Sequence, residues 1–273
     1  MHRAASLHRQ LVADLGKYAF DPYGWVLYAF AWGKGELAGF DGPDQWQSEQ
    51  LQAIGAKLRK GVTEGGAHPG CGPTAACARS EPCVVIREAT ASGHGIGKSA
   101  FVAWLILWAV STFEDTKGVV TANTETQLKT KTWSELAKWY RLCWFASQMF
   151  ELTATAIFSK IPDHQKTWRI DMVPWSERNT EAFAGLHNKG KRILLIYDEA
   201  SAIPDVIWQV SEGALTDEGT QILWCVFGNP TRNTGRFKGC FVGQLRHRWN
   251  TRQIDSRRCA CAACFRLCRP NSL

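Results

Sequence analysis

No stretch of this chain stays apolar long enough to cross a bilayer. The longest such run is Ala100–Val110, well short of the ~18 to 20 residues a spanning helix needs. It therefore reads as a buried core helix. Residues Met1–Gln10 carry basic and histidine side chains but no apolar signal core, so a cytosolic, membrane-free protein is expected. Charge of one sign is not abundant either. Lys plus Arg number 32 and Asp plus Glu 25, a mild basic excess that is compatible with a polyanionic partner without defining one. Metal-type cysteine spacing is missing in the first half: Cys71, Cys77 and Cys83 are six apart, whereas zinc sites use closer pairs. In a reducing compartment the ten cysteines read as thiols rather than a disulfide framework.

What the chain does have is ample material for a core, with 273 residues, 45% of them hydrophobic and 13 of them Trp. It also has one organising stretch. The apolar run Val84-Val85-Ile86 leads into Ser92-Gly93-His94-Gly95-Ile96-Gly97-Lys98-Ser99, and a long apolar segment follows. Strand, glycine-rich turn, Lys-Ser and helix form the layout of a phosphate-binding P-loop. Backbone N–H groups of the turn and the positive end of the helix would face phosphate oxygens. Lys98 would reach the β- and γ-phosphates and Ser99 would ligate Mg²⁺. Ser92 stands where the pattern G-x-x-x-x-G-K-[ST] has its first glycine; the alternative is a plain glycine-rich turn between a strand and a helix.

The rest of the chain supports the phosphate site. Arg192–Tyr197 is an apolar run that ends in Asp198-Glu199, the form of a strand buried on both faces with two carboxylates at its tip. Asp198 would hold Mg²⁺, and Glu199 would orient and deprotonate the attacking water; the alternative is an Asp that caps the helix expected at Pro204–Leu215. A further buried strand, Gln221–Phe227, delivers Gly228-Asn229-Pro230 to the same sheet edge, where Asn229 would sense the γ-phosphate or water. Arg232 and Arg236 follow as candidate arginine sensors, though each reads more readily as a solvated or DNA-facing charge. The strand Gly118–Ala122 ends in Asn123, and a long helix is expected over about Glu125–Met149. Strands are also expected at Pro82–Ala89 and Trp168–Val173. Upstream, Asp44 starts a helix with Gln47 in its first turn, a candidate reader of the adenine edge or simply a solvated glutamine.

With these segments placed, the chain resembles the ATPase domain of the large terminase subunit of tailed bacteriophages and prophages. The likeness is carried by Phe20-Asp21-Pro22-Tyr23, Gly42–Gln47, Ala91–Ser99, Thr121-Ala122-Asn123-Thr124, Leu195–Ser201 and Phe227–Phe237. It implies an α/β P-loop NTPase fold of the additional-strand, catalytic-glutamate class, with a mainly parallel central sheet flanked by helices. It implies ATP and Mg²⁺ as cofactors and a motor that drives double-stranded DNA into proheads from the host cytoplasm. The implied partners are the portal protein and the small terminase subunit, with the motor assembled as a homo-oligomeric ring. Gly228, Asn229 and Pro230 would couple hydrolysis to movement, together with Asn123. Many such loops carry an arginine; here His94 and Ser92 stand there instead.

The expected organisation is an N-terminal helical segment 1–60, a Gly/Pro/Cys-rich loop 61–81, an ATPase core 82–255 and an anomalous tail 256–273. The tail, with Cys259, Cys261, Cys264 and Cys268, offers four thiolates for a metal. Its abrupt Cys/Arg composition fits a shifted reading frame better. No nuclease domain of the terminase kind is expected within these residues. Two alternatives stay open: a prophage remnant that keeps only the fold and nucleotide binding, and a stand-alone helicase-like ATPase.

Overall fold

A computed structural model describes residues 10–63, 84–122, 124–176, 180–217, 219–243 and 245–254. The loop cysteines, Asn123 and the Cys/Arg-rich tail lie outside the described residues.

The core is one eight-stranded sheet made of β1 (Val84–Ser92), β2 (Lys117–Thr121), β3 (Phe150–Leu152), β4 (Ala156–Ser159), β5 (Arg169–Met172), β6 (Arg192–Tyr197), β7 (Gln221–Gly228) and β8 (Asn250–Ile254). The order across it is β3-β4-β5-β2-β6-β7-β1-β8. Pairing is parallel from β5 to β8 and antiparallel at β3–β4 and β4–β5. Alternation along each strand divides the core in two. Ile86, Val120, Leu194, Ile196, Leu223 and Phe227 face the layer that holds helix Lys98–Thr112 and the N-terminal helices. Ala89, Val119, Leu195, Tyr197, Trp224 and Val226 face the layer that holds helix Asp205–Ala214. Helix Lys98–Thr112 is buried all round, as a helix clamped between a sheet and other helices must be. Ten of the 13 Trp are buried, so the tryptophan excess fills the core.

Several expected boundaries are corrected. β1 runs on through Ser92 because Ala91 pairs with Gly228 and Ser92 with Ile254. The helix from Gln45 continues to Thr63, past the expected start of the loop at Gly61. The aromatic stretch after Asp21 is a helix, Pro22–Ala29, whose first turn is capped by Asp21 Oδ1 accepting from Gly24 N at 3.1 Å. The single long helix expected over Glu125–Met149 is broken. One short turn, Glu125–Gln127, passes into a π-helical segment, Leu128–Trp133, then helix Ser134–Leu142. Cys143 is extended, and a short turn Ala146–Met149 leads into β3. The β3–β4 hairpin and edge strand β8 were not anticipated.

The N-terminal helices belong to the same core. Leu11, Leu15, Trp25, Leu51 and Leu58 pack with the P-loop helix. Helix Gln45–Thr63 lies along β1: Gln50 Nε2 donates to Thr90 Oγ1 at 2.9 Å, and Lys57 pairs with Glu88. Burial raises the Glu88 pKa despite that partner. Its ionised form is thus disfavoured on folding at any pH above the unfolded value of ~4.3, and its contribution to stability is lost as pH rises through the folded pKa. Glu88→Gln is therefore expected to melt above the parent at neutral pH in a calorimetric scan, with the difference closing as pH falls towards ~4. A variant that melts lower at neutral pH would contradict this.

Candidate functional site

The residues singled out in sequence gather where the carboxyl ends of β1, β7, β6 and β2 lie side by side, the edge at which open parallel sheets bind ligands. The strand that ends at Asn229 is inserted between the P-loop strand and the strand that ends at Asp198.

Ser92 is the last residue of β1 and is 3% exposed. Extended backbone is open to any side chain, so a glycine is not required there. The turn proper is Gly93–Gly97. Gly95 and Gly97 take φ of 75° and 83°, a region that costs L-residues about 1–2 kcal/mol. A Cβ on Gly97 would also lie 2.7 Å from Gln47 Nε2. Ile96 is buried and tethers the turn to the core. His94 is exposed at its crest.

Two side chains from the first turn of helix Gln45–Thr63 brace the turn from outside. Trp46 Nε1 donates to Ile96 O, and Gln47 Nε2 donates to Gly97 O, each at 3.0 Å. Gln47 Oε1 accepts from Asp44 N at 2.8 Å, the return half of a capping box. Buried and bonded at both ends of its amide, Gln47 has the geometry of a support for the loop rather than of an open adenine reader.

Lys98 is 8% exposed. Its ammonium donates to Gly93 O at 3.0 Å and to Asn229 Oδ1 at 2.8 Å. Burial lowers its pKa, against the opposing charges of Glu199 and Asp198. Asn229 Nδ2 in turn donates to His94 Nε2 at 2.7 Å. Loop crest, loop lysine and the end of β7 thus form one hydrogen-bonded chain across 131 residues of sequence. Gly228 sits tightly against its neighbours: a Cβ would lie 3.2 Å from Ala200 N and from the Phe237 ring, so that either would have to give by a few tenths of an ångström. Pro230 is exposed just beyond.

Asp198 is 6% exposed. Burial raises its pKa. Its Oδ1 accepts from Glu199 N at 3.0 Å and its Oδ2 from Thr132 Oγ1 at 2.6 Å. Glu199 is half-buried at φ 54°, a left-handed conformation uncommon for a non-glycine residue and a form of local strain that clusters at functional sites. Ser99 stands half-buried on the first helical turn after the loop.

Thr132 escaped the sequence reading. It sits in the π-helical segment Leu128–Trp133 and is 1% exposed. Single π turns recur at functional sites. The sequence signal was faint: a Lys-Thr-Lys-Thr run inside an expected helix, with no rule to say which threonine turns inward. Neither arginine candidate is bonded to the loop. Arg236 pairs with Glu212 at 2.5 Å, and Arg232 is exposed.

The donor set suits a phosphate chain and a hard cation. Turn N–H groups at a helix N-terminus that has no side-chain cap and a buried ammonium suit phosphate oxygens. A hydroxyl on Ser99 and a carboxylate with remaining lone pairs on Asp198 suit Mg²⁺.

The strand order and the turn together define an α/β domain of the P-loop class, with an additional strand between its two principal phosphate-site strands. Sequence comparison carries this further. Over 151 residues the chain is 31% identical to the protein described as "Probable terminase, large subunit" of Enterobacteria phage P7, a match that covers 54% of this chain and 29% of that protein. The resemblance to terminase large subunits read from the sequence is thereby borne out. The match spans under a third of the relative's length. No family model matches the chain. Among solved structures, the ATPase domain of the Thermus phage P74-26 large terminase aligns at TM-score 0.44 and 15% identity, covering 61% of this chain and 74% of that one. The HK97 bacteriophage large terminase aligns at TM-score 0.45 and 12% identity, covering 77% and 38%. No helix among the described residues is long and apolar enough to cross a membrane.

Proposed function

We propose that this chain is the ATP-hydrolysing motor domain of a terminase large subunit that powers double-stranded DNA packaging into proheads in the host cytoplasm. The observation that carries the reading is the convergence of Lys98, Asn229, Asp198 and Glu199 at one sheet edge from three strands far apart in sequence. Gly93–Ser99 would take the phosphates of ATP, with Lys98 leaving the Gly93 carbonyl for the phosphate oxygens. Ser99 and Asp198 would hold Mg²⁺, which when bound supplies charge neutralisation to the phosphates. Glu199, placed by its left-handed backbone, orients a water and accepts its proton.

Asn229 would exchange its lysine and histidine partners as the phosphates come and go, and that exchange would couple turnover to movement through Gly228-Asn229-Pro230. Asn123, which lies outside the described residues, is proposed for the same role. Either Arg232 or Arg236 would act as an arginine sensor only after release from its present surroundings; for Arg236 that means losing Glu212. Assembly as a ring on the portal protein, fed by the small subunit, is proposed on the likeness in sequence to a terminase large subunit.

The proposal is tested by phosphate release from ATP, with and without Mg²⁺, by the full chain. Magnesium-dependent turnover is expected, and its absence at high enzyme concentration would overturn the assignment. Thr132 tests the site more finely. Thr132→Val removes the hydroxyl that orients Asp198 and should raise the Mg²⁺ requirement and lower turnover about 10- to 100-fold, the usual span for partners of a metal ligand. Thr132→Ser should restore both. Equal loss in both variants would show that the hydroxyl is not what matters.

A further inference from the structure

The polar side chains of the π-helical segment Leu128–Trp133 are committed, with one exception. Lys129 pairs with Glu125 at 2.5 Å, Thr130 Oγ1 donates to Thr126 O at 2.7 Å, and Thr132 Oγ1 donates to Asp198 Oδ2 at 2.6 Å. Lys131 is exposed, and its ammonium enters no hydrogen bond or ion pair among the described residues. We propose that Lys131 is a second cation of the nucleotide site, one that meets the γ-phosphoryl group of ATP in the transition state. The inference rests on the motor reading above and deepens it by naming a residue that supplies charge to the transferring group.

The backbone that carries Lys131 is held against the site. Thr132, the next residue, is 1% exposed and bonded to the carboxylate that would hold Mg²⁺. Trp133 is buried and its Nε1 donates to Thr153 O at 2.8 Å. Leu128 is fully buried on the other side, and the Lys131 carbonyl accepts from Ser134 N. Only the long, flexible side chain is left free to swing. Its charge reaches the loop lysine. Burial lowers the Lys98 pKa, the charges of Glu199 and Asp198 raise it, and that of Lys131 lowers it again. The two ammonium groups are thus close enough to repel.

An anion that enters beside two such lysines relieves their repulsion. In phosphoryl transfer, charge spreads over the equatorial oxygens of the transferring group, and cations placed there lower the barrier. Lys98 is one such cation, but it stands opposite two carboxylates. Arg236 is occupied by Glu212. Lys131 brings a second charge from a different element, directly beside the threonine that orients Asp198. Consecutive residues of one irregular turn would then set the metal holder and the phosphoryl cation. An uncommitted side chain suits this role, because it gives up no existing ion pair to meet charge that develops only in the transition state.

The test uses the full chain. Lys131→Gln should lower single-turnover phosphate release about 10²-fold, the low end for loss of one transition-state donor, and should bind ADP·Mg²⁺ as the parent does. Aluminium fluoride added to ADP·Mg²⁺ mimics the phosphoryl group in flight, and the affinity it adds over ADP·Mg²⁺ alone should shrink by a similar factor. Lys131→Arg should recover most of both. Lys129→Gln removes a neighbouring charge already paired with Glu125 and should behave as the parent. Melting temperatures should stay put, since both lysines are exposed. Parental turnover in Lys131→Gln, equal losses for ADP·Mg²⁺ with and without aluminium fluoride, an equal loss in Lys129→Gln, or no recovery in Lys131→Arg would each overturn the proposal and leave the motor reading standing. A parent that binds no ATP would strike the motor reading, and this proposal with it.

Discussion

Glu199→Gln is expected to bind ATP as the parent does and to hydrolyse it about 10²- to 10⁴-fold more slowly, the usual contribution of a positioned general base. The side chain keeps its size and its place on the left-handed turn but loses the capacity to take a proton. Among the described residues Glu199 makes no hydrogen bond to the loop, whereas Lys98, Trp46 and Gln47 do, and Asn229 bonds the loop lysine. Binding and chemistry should therefore separate cleanly in this variant. Single-turnover phosphate release, read beside equilibrium binding, checks the split. A variant that hydrolyses at the parental rate would remove Glu199 from the chemistry, and one that fails to bind would make it part of the loop's support.

The second large effect lies at the opposite end of the sheet and concerns stability. Arg192 starts β6, is wholly buried and pairs with no carboxylate among the described residues. Burial pushes its pKa down to about 9, so it still carries its charge at neutral pH. Nη1 donates to Thr112 Oγ1 at 2.7 Å and to Ala109 O at 3.2 Å, and Nη2 donates to Ala19 O at 2.7 Å, while Nε donates to Gln221. The guanidinium carbon lies 4.2 Å from the Trp108 ring centre and 5.0 Å from that of Phe113. Its counter-charge is the negative end of helix Lys98–Thr112 together with the faces of two rings. Arg192→Ala leaves several buried acceptors unpaired at about 1–3 kcal/mol each and opens a cavity. A loss of about 3–5 kcal/mol in denaturant unfolding is expected, within the range for breaking a buried charged network. Arg192→Lys should recover only part of it, because an ammonium cannot fork to four acceptors in one plane. A cost under about 1 kcal/mol for the Ala variant would mean that desolvation of the charge already cancels its bonds.

Legibility from sequence followed periodicity and local motif. The continuous apolar runs Arg192–Tyr197 and Gln221–Phe227 gave two central strands with boundaries close to those observed, because strands buried on both faces leave no polar interruption. The P-loop turn was readable through Gly95, Gly97 and Lys98, whose roles are local. What resisted reading was non-local or irregular. The π-helical segment that turns Thr132 towards Asp198 is invisible to a 3.6-residue period. β3, β4 and β8 are short and acquire strand geometry from their neighbours. The bonds of Gln47 and Asn229 join positions 50 and 131 residues apart, and no local pattern predicts which partner a polar side chain will choose. Ser92, an apparent defect in the motif, becomes unremarkable once it is seen as the end of a strand.

The central claim is that the Gly93–Ser99 turn, with its lysine, is a phosphate site completed by Asp198 and Asn229. The most direct measurement is calorimetric titration of ATP·Mg²⁺ into the 273-residue chain and into Lys98→Ala, with melting curves to establish that both are folded. The expected result is one site in the parent and affinity lost by at least about 100-fold in the variant, in keeping with a buried charge-assisted contact. A folded parent that binds no ATP, or a Lys98→Ala chain that binds it as tightly as the parent, would contradict the claim.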